Sequence, residues 1–294
     1  MTQEWEQWSP ELWTARSSVY DTNSGLFLSQ GQACLIDPGV LPAEVQAIRR
    51  LVEERGLDVR AIVLTHSHWD HLLGVAAFPR VPVVAQALYA QAIVGDSAQR
   101  ILAHVALWAS EYHVDGVQPF TLPPAARTFE REEELAVGDL RLRLVHAPGH
   151  EADQCVVHDP RTGTLWAADM LGNVEIPYVC HSLAAYEATL SMLASWNVRL
   201  LVPGHGQPTA DPGEIALRLA HDRAYLAELQ ARVVEAVGQG KSVEETVEAC
   251  SAMTYRHQDE NRGAHERNVE SAFVELGGTP PATPVGWDRW IVAS

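Results

Sequence analysis

The chain has 294 residues, 47% of them hydrophobic and 20% charged, enough to bury a sizeable core as one large domain with an appendage or as two ordinary domains. Twenty-one basic residues against thirty-eight acidic ones give a formal charge of −17, a field that repels polyanions unless a basic patch compensates, and the sequence carries no such patch. Nucleic acid is therefore not an expected partner, and no apolar run approaches the roughly 18 residues that a membrane-spanning helix needs.

Residues 1–10 hold Glu4 and Glu6 and no basic cluster ahead of an apolar run, so no secretory signal is read there and the expected location is cytoplasmic. Short apolar runs rich in β-branched residues predict strands over 26–28 and 33–36, then a helix over 43–55 and strands over 61–64 and 81–84. Residues 88–112 have a long helical periodicity through Leu102, Val105, Leu107 and Trp108 that breaks at Gly116 and Pro119, which marks 88–120 as a helical insertion. Strands are expected again over 140–145, 154–158, 164–167 and 199–202, with a helix over 183–195. From 213 the pattern is helical: 213–237 on Ile215, Leu219, Leu226 and Leu229, then 243–253 and 262–276. The closing segment, with Pro280, Pro281, Pro284 and two tryptophans, is expected to be irregular chain packed on the body. Cys34, Cys155, Cys180 and Cys250 are widely spaced and form no Cys-x-x-Cys pair, the pattern of buried small hydrophobes rather than of a disulfide framework or a thiolate knuckle.

The chemistry concentrates in Ala61-Ile-Val-Leu-Thr-His-Ser-His-Trp-Asp-His71, where an apolar strand runs into three histidines and an aspartate within six residues. The strand end fixes the loop, so His66 and His68 can converge on one point while Asp70 and His71, opening the next helix, face a second. Imidazole and carboxylate without thiolate suit zinc, with manganese or iron as alternatives. An isolated His-x-His belongs more often to a polar loop. Here Ala147-Pro-Gly-His150, Ala167-Ala-Asp169 and Val202-Pro-Gly-His-Gly206 each set a further candidate ligand at a strand end.

That ordered set, His-x-His-x-Asp-His followed by a later His, a later Asp and a final His, resembles the metallo-β-lactamase superfamily over roughly the first two thirds of the chain. Carried over position by position, the resemblance implies that His66, His68 and His150 hold one metal ion, that Asp70, His71 and His205 hold a second, and that Asp169 bridges them. It also implies an α/β fold, the αβ/βα four-layer sandwich with the metals at one edge, here as a catalytic domain over 1–212 followed by a helical C-terminal module over 213–294. Ile36-Asp37-Pro-Gly39 looks like the family's early strand-and-turn segment, and for Asp37 a turn role and a role behind the ligands are both open. Two departures count against a glyoxalase II-like assignment. Leu72-Leu73-Gly74 stands where many members have a glycine pair, and the late basic cluster that holds glutathione is missing.

Two cations about 3.5 to 4 Å apart lower the pKa of a bridging water to about neutrality, so the implied nucleophile is a metal-bridging hydroxide. Asp70 is the candidate for taking up its proton. Tyr178, in Ile176-Pro-Tyr178, is a candidate donor to a substrate oxyanion, as tyrosines are in some related lactonases, although a lone tyrosine after a loop proline is more often structural. Trp69 and the insertion with Trp108 and Tyr112 are candidate pocket walls, against ordinary packing as the plainer reading. His104, His113, His146, His158, His181, His221, His257 and His265 show no ligand-like spacing and are read as structural or exposed.

The sequence thus predicts a di-zinc hydrolase of an ester-like bond in a small molecule: a thioester, a lactone or a β-lactam. The alternative is a mononuclear non-haem iron dioxygenase acting on persulfides on the same scaffold. Di-iron electron-transfer members usually have Glu at the position of His68 and an added flavin domain, and neither is present. A binding protein that had lost activity would be expected to lose ligands, whereas all seven remain. The C-terminal module is a candidate for capping the site or pairing two copies into a homo-oligomer.

Overall fold

Alternation along the strands decides the layers of the protein, since successive side chains in a strand point to opposite faces. The computed structural model describes residues 5–280, so the proline- and tryptophan-rich end of the chain lies outside the described residues. One sheet runs β1 (Trp5–Gln7), β2 (Leu12–Arg16), β3 (Asn23–Ser29), β4 (Gln32–Ile36), β5 (Asp58–Val63), β6 (Val83–Gln86) and β7 (Arg127–Phe129) in that spatial order. It is antiparallel up to β4 and parallel from β4 to β7. The other sheet contains β8 (Glu132–Val137), β9 (Leu140–His146), β10 (Cys155–Asp159), β11 (Thr164–Trp166) and β12 (Leu200–Val202), with β11 and β12 parallel and the rest antiparallel.

Phe27, Cys34, Ile36, Ala61 and Val63 of the first sheet meet Leu140, Leu142, Leu144, Val157, Trp166 and Val202 of the second in one buried layer. Their sequence neighbours Leu26, Ala33, Leu35, Ile62 and Leu64 face the other way, onto Ile48 and Val52 of helix α1 (Pro42–Glu54) and onto Leu72 and Val75. Val156, Leu165 and Leu201 face outward from the second sheet onto helix α5 (Leu183–Ala194) and the C-terminal helices α6 (Pro212–Gly238), α7 (Val243–Cys250) and α8 (Arg262–Glu275). This is the expected αβ/βα order of layers, with the C-terminal helices sharing the outer core of the second sheet. Among the described residues no helix is long and apolar enough to cross a membrane.

Several elements differ from expectation for local reasons. Residues 88–112 form two helices, α3 (Tyr89–Ala92) and α4 (Gly95–Glu111), because the chain turns at Gly95 with φ +61. Strands β1, β2, β7 and β8 were not expected. In β8 the run Glu132-Glu133-Glu134 masks the alternation: it lies on an edge, where Arg143 Nε donates to Glu132 Oε1 at 2.7 Å, and only Leu135 and Val137 reach the core. The short helix α2 (Trp69–Leu72) and the 3₁₀ turn Leu73–Ala77 press on the loop after β4. A Cβ at Gly74 would stand 1.5 Å from the Pro38 carbonyl oxygen, so the chain comes this close only with glycine there.

Asp222 of α6 is buried under the loop that follows β11, where its carboxylate accepts Leu171 N–H at 3.3 Å. Burial outweighs the Arg256 guanidinium 3.8 Å away, the Leu171 N–H and Arg218, and raises the carboxyl to about 7. The native state therefore holds this proton more tightly than the unfolded chain, and the group costs stability as pH rises from the ordinary carboxyl value toward about 7. Asp222→Asn keeps an acceptor for Leu171 and removes that cost. Its gain in unfolding free energy over wild type is expected to be larger at about pH 8 than at about pH 5, by up to about 3 kcal/mol, and equal gains in denaturant titrations at both pH values would refute the account.

Candidate metal centre

Seven side chains meet at one edge of the sandwich. The end of β5 delivers His66 and His68, and α2 delivers Asp70 and His71. The segments after β9, β11 and β12 deliver His150, Asp169 and His205. His66, His68, His150 and Asp169 each offer an atom within 4.8 Å of the others, and so do Asp70, His71 and His205. Asp169 touches both groups. Its Oδ2 lies 3.4 Å from His66 Nε2, 3.2 Å from His150 Nε2 and 3.2 Å from His205 Nε2, while its Oδ1 lies 3.3 Å from His71 Nε2. Asp70 Oδ2 is 3.6 Å from His71 Nε2 and 3.5 Å from His205 Nε2. All of these residues except His68 and Asp169 are buried, and those two keep side-chain exposures of only 11% and 5%.

The outer nitrogen of every imidazole is committed. His66 Nδ1 lies 3.0 Å from Thr65 Oγ1, whose own proton goes to Asp37 Oδ2 at 2.7 Å. His71 Nδ1 donates to the same Asp37 oxygen at 2.9 Å, His68 Nε2 to Glu151 Oε1 at 2.8 Å, His150 Nδ1 to the Tyr178 carbonyl at 2.7 Å, and His205 Nδ1 to the Tyr20 carbonyl at 2.9 Å. In its neutral form an imidazole has one N–H, so with the outer nitrogen as donor the inner nitrogen of that form carries a lone pair. These lone pairs face one another: His150 Nε2 is 3.0 Å from His68 Nδ1 and 3.3 Å from His66 Nε2.

The donor set fits a cation. Zinc–nitrogen bonds of about 2.0–2.1 Å in a tetrahedron put neighbouring ligand atoms about 3.3 Å apart, and the separations among His66, His68, His150 and Asp169 run from 3.0 to 3.4 Å where they are in contact. His71 Nε2 and Asp169 Oδ1 are buried 3.3 Å apart without a hydrogen bond of good geometry between them or to any other group, the state of a pair whose natural partner is an ion. A Cβ at Gly204 would stand 2.0 Å from that same Asp169 oxygen, so glycine beside His205 keeps the space open.

Electrostatics tie the cluster together. Burial opposes charge on Asp169, but the imidazoles of His205, His71 and His66 prevail and hold its carboxyl well below 3.8. Burial likewise opposes charge on His71, and the carboxylates of Asp169, Asp70 and Asp37 outweigh it, raising His71 well above 6.5. For His66 burial wins over Asp169, and its value falls well below 6.5. Asp37, for which the sequence left a turn role open, both turns the chain at φ +44 and backs His66 and His71.

A cavity of about 260 Å³ adjoins the cluster, between His68, Trp69, Glu151 and Cys180 on one side and Ser97, Arg100, Ile101 and His104 of α4 on the other. The insertion therefore does form a pocket wall. Trp69 packs at 5.4 Å against His104 and at 4.5 Å against Trp108, with Tyr20 edge-on at 6.1 Å. His104, read from its spacing as structural or exposed, lines this cavity. Tyr178 is half-buried beside His150, ring centroids 5.7 Å apart, and its hydroxyl oxygen accepts from Arg267 Nη1 at 2.8 Å. His181 contributes main chain, its N–H donating to the His150 carbonyl at 3.0 Å. His158 is remote from the seven, stacked on Trp196 at 4.6 Å.

The family model described as "Metallo-beta-lactamase superfamily" matches residues 18–205, and the chain belongs to that superfamily. Among curated relatives it is 26% identical over 226 residues to the lactamase-like protein aptB of Emericella nidulans, covering 75% of this chain and 63% of the relative. It is 24% identical over 225 residues to a linear primary-alkylsulfatase of a Pseudomonas species, at 65% and 42% coverage. A third relative, the atrochrysone carboxyl ACP thioesterase of Aspergillus chevalieri, is 25% identical over 266 residues, at 87% and 76% coverage. The chain thus spans less than two thirds of the length of the first two. A metallo-beta-lactamase family protein from Thermus thermophilus superposes with TM-score 0.68 at 21% identity, covering 95% of this chain and 98% of the other, which shows a shared fold extending through the C-terminal helices.

Asp169→Ala is expected to remove the contact common to both groups and to leave fewer than two bound metal equivalents by elemental analysis. His158→Ala is expected to retain the wild-type complement, and loss of an equivalent there would show that the cluster has been misassigned.

Proposed function

We propose that the chain is a metal-dependent hydrolase of an ester-like bond, a thioester ahead of a lactone or a β-lactam, acting on a small molecule seated against α4. The observation that carries the reading is the ring of inward lone pairs, each imposed by an outer hydrogen bond, opening onto a cavity with a mixed apolar and polar wall. His66, His68 and His150 would hold one divalent ion and Asp70, His71 and His205 the other, with Asp169 shared, and zinc is the ion that this nitrogen-rich set suits. Such a pair, when bound, supplies Lewis acidity and a nucleophilic water with a pKa near neutrality.

The chain's own groups do the remaining work. Asp70, whose Oδ2 lies between His71 and His205, is the candidate for taking up the nucleophile's proton. Trp69 and Ile101 offer apolar surface to an acyl group and exclude water from it, while Arg100 gives the α4 wall a cation for an anionic carrier. Tyr178, fixed by Arg267, is the candidate donor to the oxygen that gains charge as the carbonyl is attacked. Thioester comes first because the thioesterase relative is matched over most of both chains.

The test pairs elemental analysis of protein purified without added metal with turnover on a thioester, a lactone, a β-lactam, an alkyl sulfate and a phosphodiester. Two zinc equivalents with thioester hydrolysis are expected. One iron equivalent with no hydrolysis would instead favour the dioxygenase. Tyr178→Phe is expected to lower kcat by about 10- to 100-fold with both metal equivalents retained, and an unchanged kcat would remove Tyr178 from the mechanism.

A further inference from the structure

The loop between Asp169 and His181 carries two groups that bear on the cluster. These are the Tyr178 carbonyl, which receives His150 Nδ1–H at 2.7 Å, and Glu175, whose carboxylate lies 3.9 Å from His205 Nδ1. Side chains of the C-terminal helices and their connections fasten this loop along its length. Arg218 of α6 donates to the Leu171 carbonyl at 3.3 Å and Asp222 accepts Leu171 N–H. Arg256 donates to the Gly172 carbonyl at 2.8 Å and also to that of Glu175, and Asn261 Nδ2 donates to the Val174 carbonyl at 3.0 Å.

At Tyr178 the fastening is closest. Asn268 of α8 accepts Val179 N–H on Oδ1 at 2.7 Å and donates from Nδ2 to the Pro177 carbonyl at 2.6 Å, so one amide grips the main chain on both sides of Tyr178. Its second Nδ2 proton goes to Tyr225 Oη at 2.8 Å. The Tyr225 hydroxyl in turn lies 2.9 Å from His265 Nδ1, and His265 Nε2 lies 3.1 Å from the Cys250 carbonyl. With Nε2 as the donor, Nδ1 accepts from Tyr225, and the network satisfies every one of its buried polar atoms. Asn268 is fully buried in a stripe that is otherwise His265, Val269, Ala272 and Phe273. Packing alone would favour an apolar side chain at that position.

We infer that Asn268 is a positioning residue of the metal centre: by holding the peptides on either side of Tyr178, it sets the carbonyl that orients His150. It lies beyond residue 205, where the family match ends, so the helices that follow the matched region complete the support of a ligand within it. The inference rests on the two-ion reading above.

The test uses the full-length protein, with zinc affinity measured by chelator competition and the d–d spectrum recorded on the cobalt-substituted form. Asn268→Ala is expected to weaken one of the two metal equivalents several-fold to about 10-fold, the lower end of the roughly 10- to 100-fold cost of losing a ligand's own partner because the Tyr178 carbonyl remains, and to change the cobalt spectrum. The other equivalent should keep its affinity. Phe273→Leu, a core change on the same helix with no bond to the loop, is expected to lower Tm while both affinities and the spectrum stay at wild-type values. Wild-type affinities and spectrum in folded Asn268→Ala, or equal weakening in Phe273→Leu, would overturn the inference. Should Asn268→Ala fail to fold, Tyr225→Phe removes one of the three bonds that hold the amide, and a several-fold weakening of the same equivalent is expected, with no weakening counting against the inference. If wild-type protein binds fewer than two ions, the site reading itself fails and this inference with it.

Discussion

Every imidazole in the cluster has its outer nitrogen on a fixed oxygen partner, and so in the neutral form its inner lone pair points at its neighbours. In a buried setting this is unfavourable without a cation, because lone pairs 3.0 to 3.3 Å apart repel. A cation between them turns the repulsion into coordination, which links metal binding to the stability of the fold. Charging the imidazoles is the other relief available, and the opposite directions in which burial and the carboxylates move His66 and His71 show that it is unevenly open to them.

The two sheets contribute separately to this arrangement. His66, His68, Asp70 and His71 come from the first sheet and the helix that follows it, while His150, Asp169 and His205 come from the ends of three strands in the second. Neither set closes the site alone. The separation of the sets is fixed by the buried layer in which Val63 and Ile36 meet Leu144, Val157, Trp166 and Val202, so the volume of that core is a determinant of ligand spacing. Asp37 extends the same logic within the first sheet: from the end of β4 it reaches Thr65 and His71, and so couples the ligands on β5 and α2 to the strand beside them.

The seven candidate ligands were legible because each is a histidine or aspartate set just after an apolar strand, and residue type and position together mark such a site. Their supports were much less so. Three of the five outer nitrogens meet a hydroxyl or a main-chain carbonyl, at Thr65, Tyr20 and Tyr178, and a carbonyl has no signature in the sequence. Glu151, directly after His150, carried a weak signal as a carboxylate near a ligand. Asn268 carried a clearer one, a polar residue at the centre of a helical stripe where the period of 3.6 calls for an apolar side chain. The layers were readable from alternation except at β8, where three consecutive glutamates on an edge strand hide it, and at 88–112, where the turn at Gly95 falls within a helical pattern that runs through it.

A division of labour follows from where these groups sit. The candidate ligands and Asp37 lie at strand ends and on α2, at the edge of the buried layer between the sheets, where small displacements cost much packing. The cavity wall is α4, an insertion whose outer face is solvent, so Ser97, Arg100, Ile101 and His104 can vary at little cost to the core. The C-terminal helices stand between these extremes. Their apolar stripe is part of the core of the second sheet, yet their polar side chains shape the loop that backs His150 and approaches His205. On the proposed hydrolase reading, a change in α4 should therefore act on which substrate is accepted, whereas a change in the polar positions of α6 or α8 should act on how firmly a metal is held whatever the substrate.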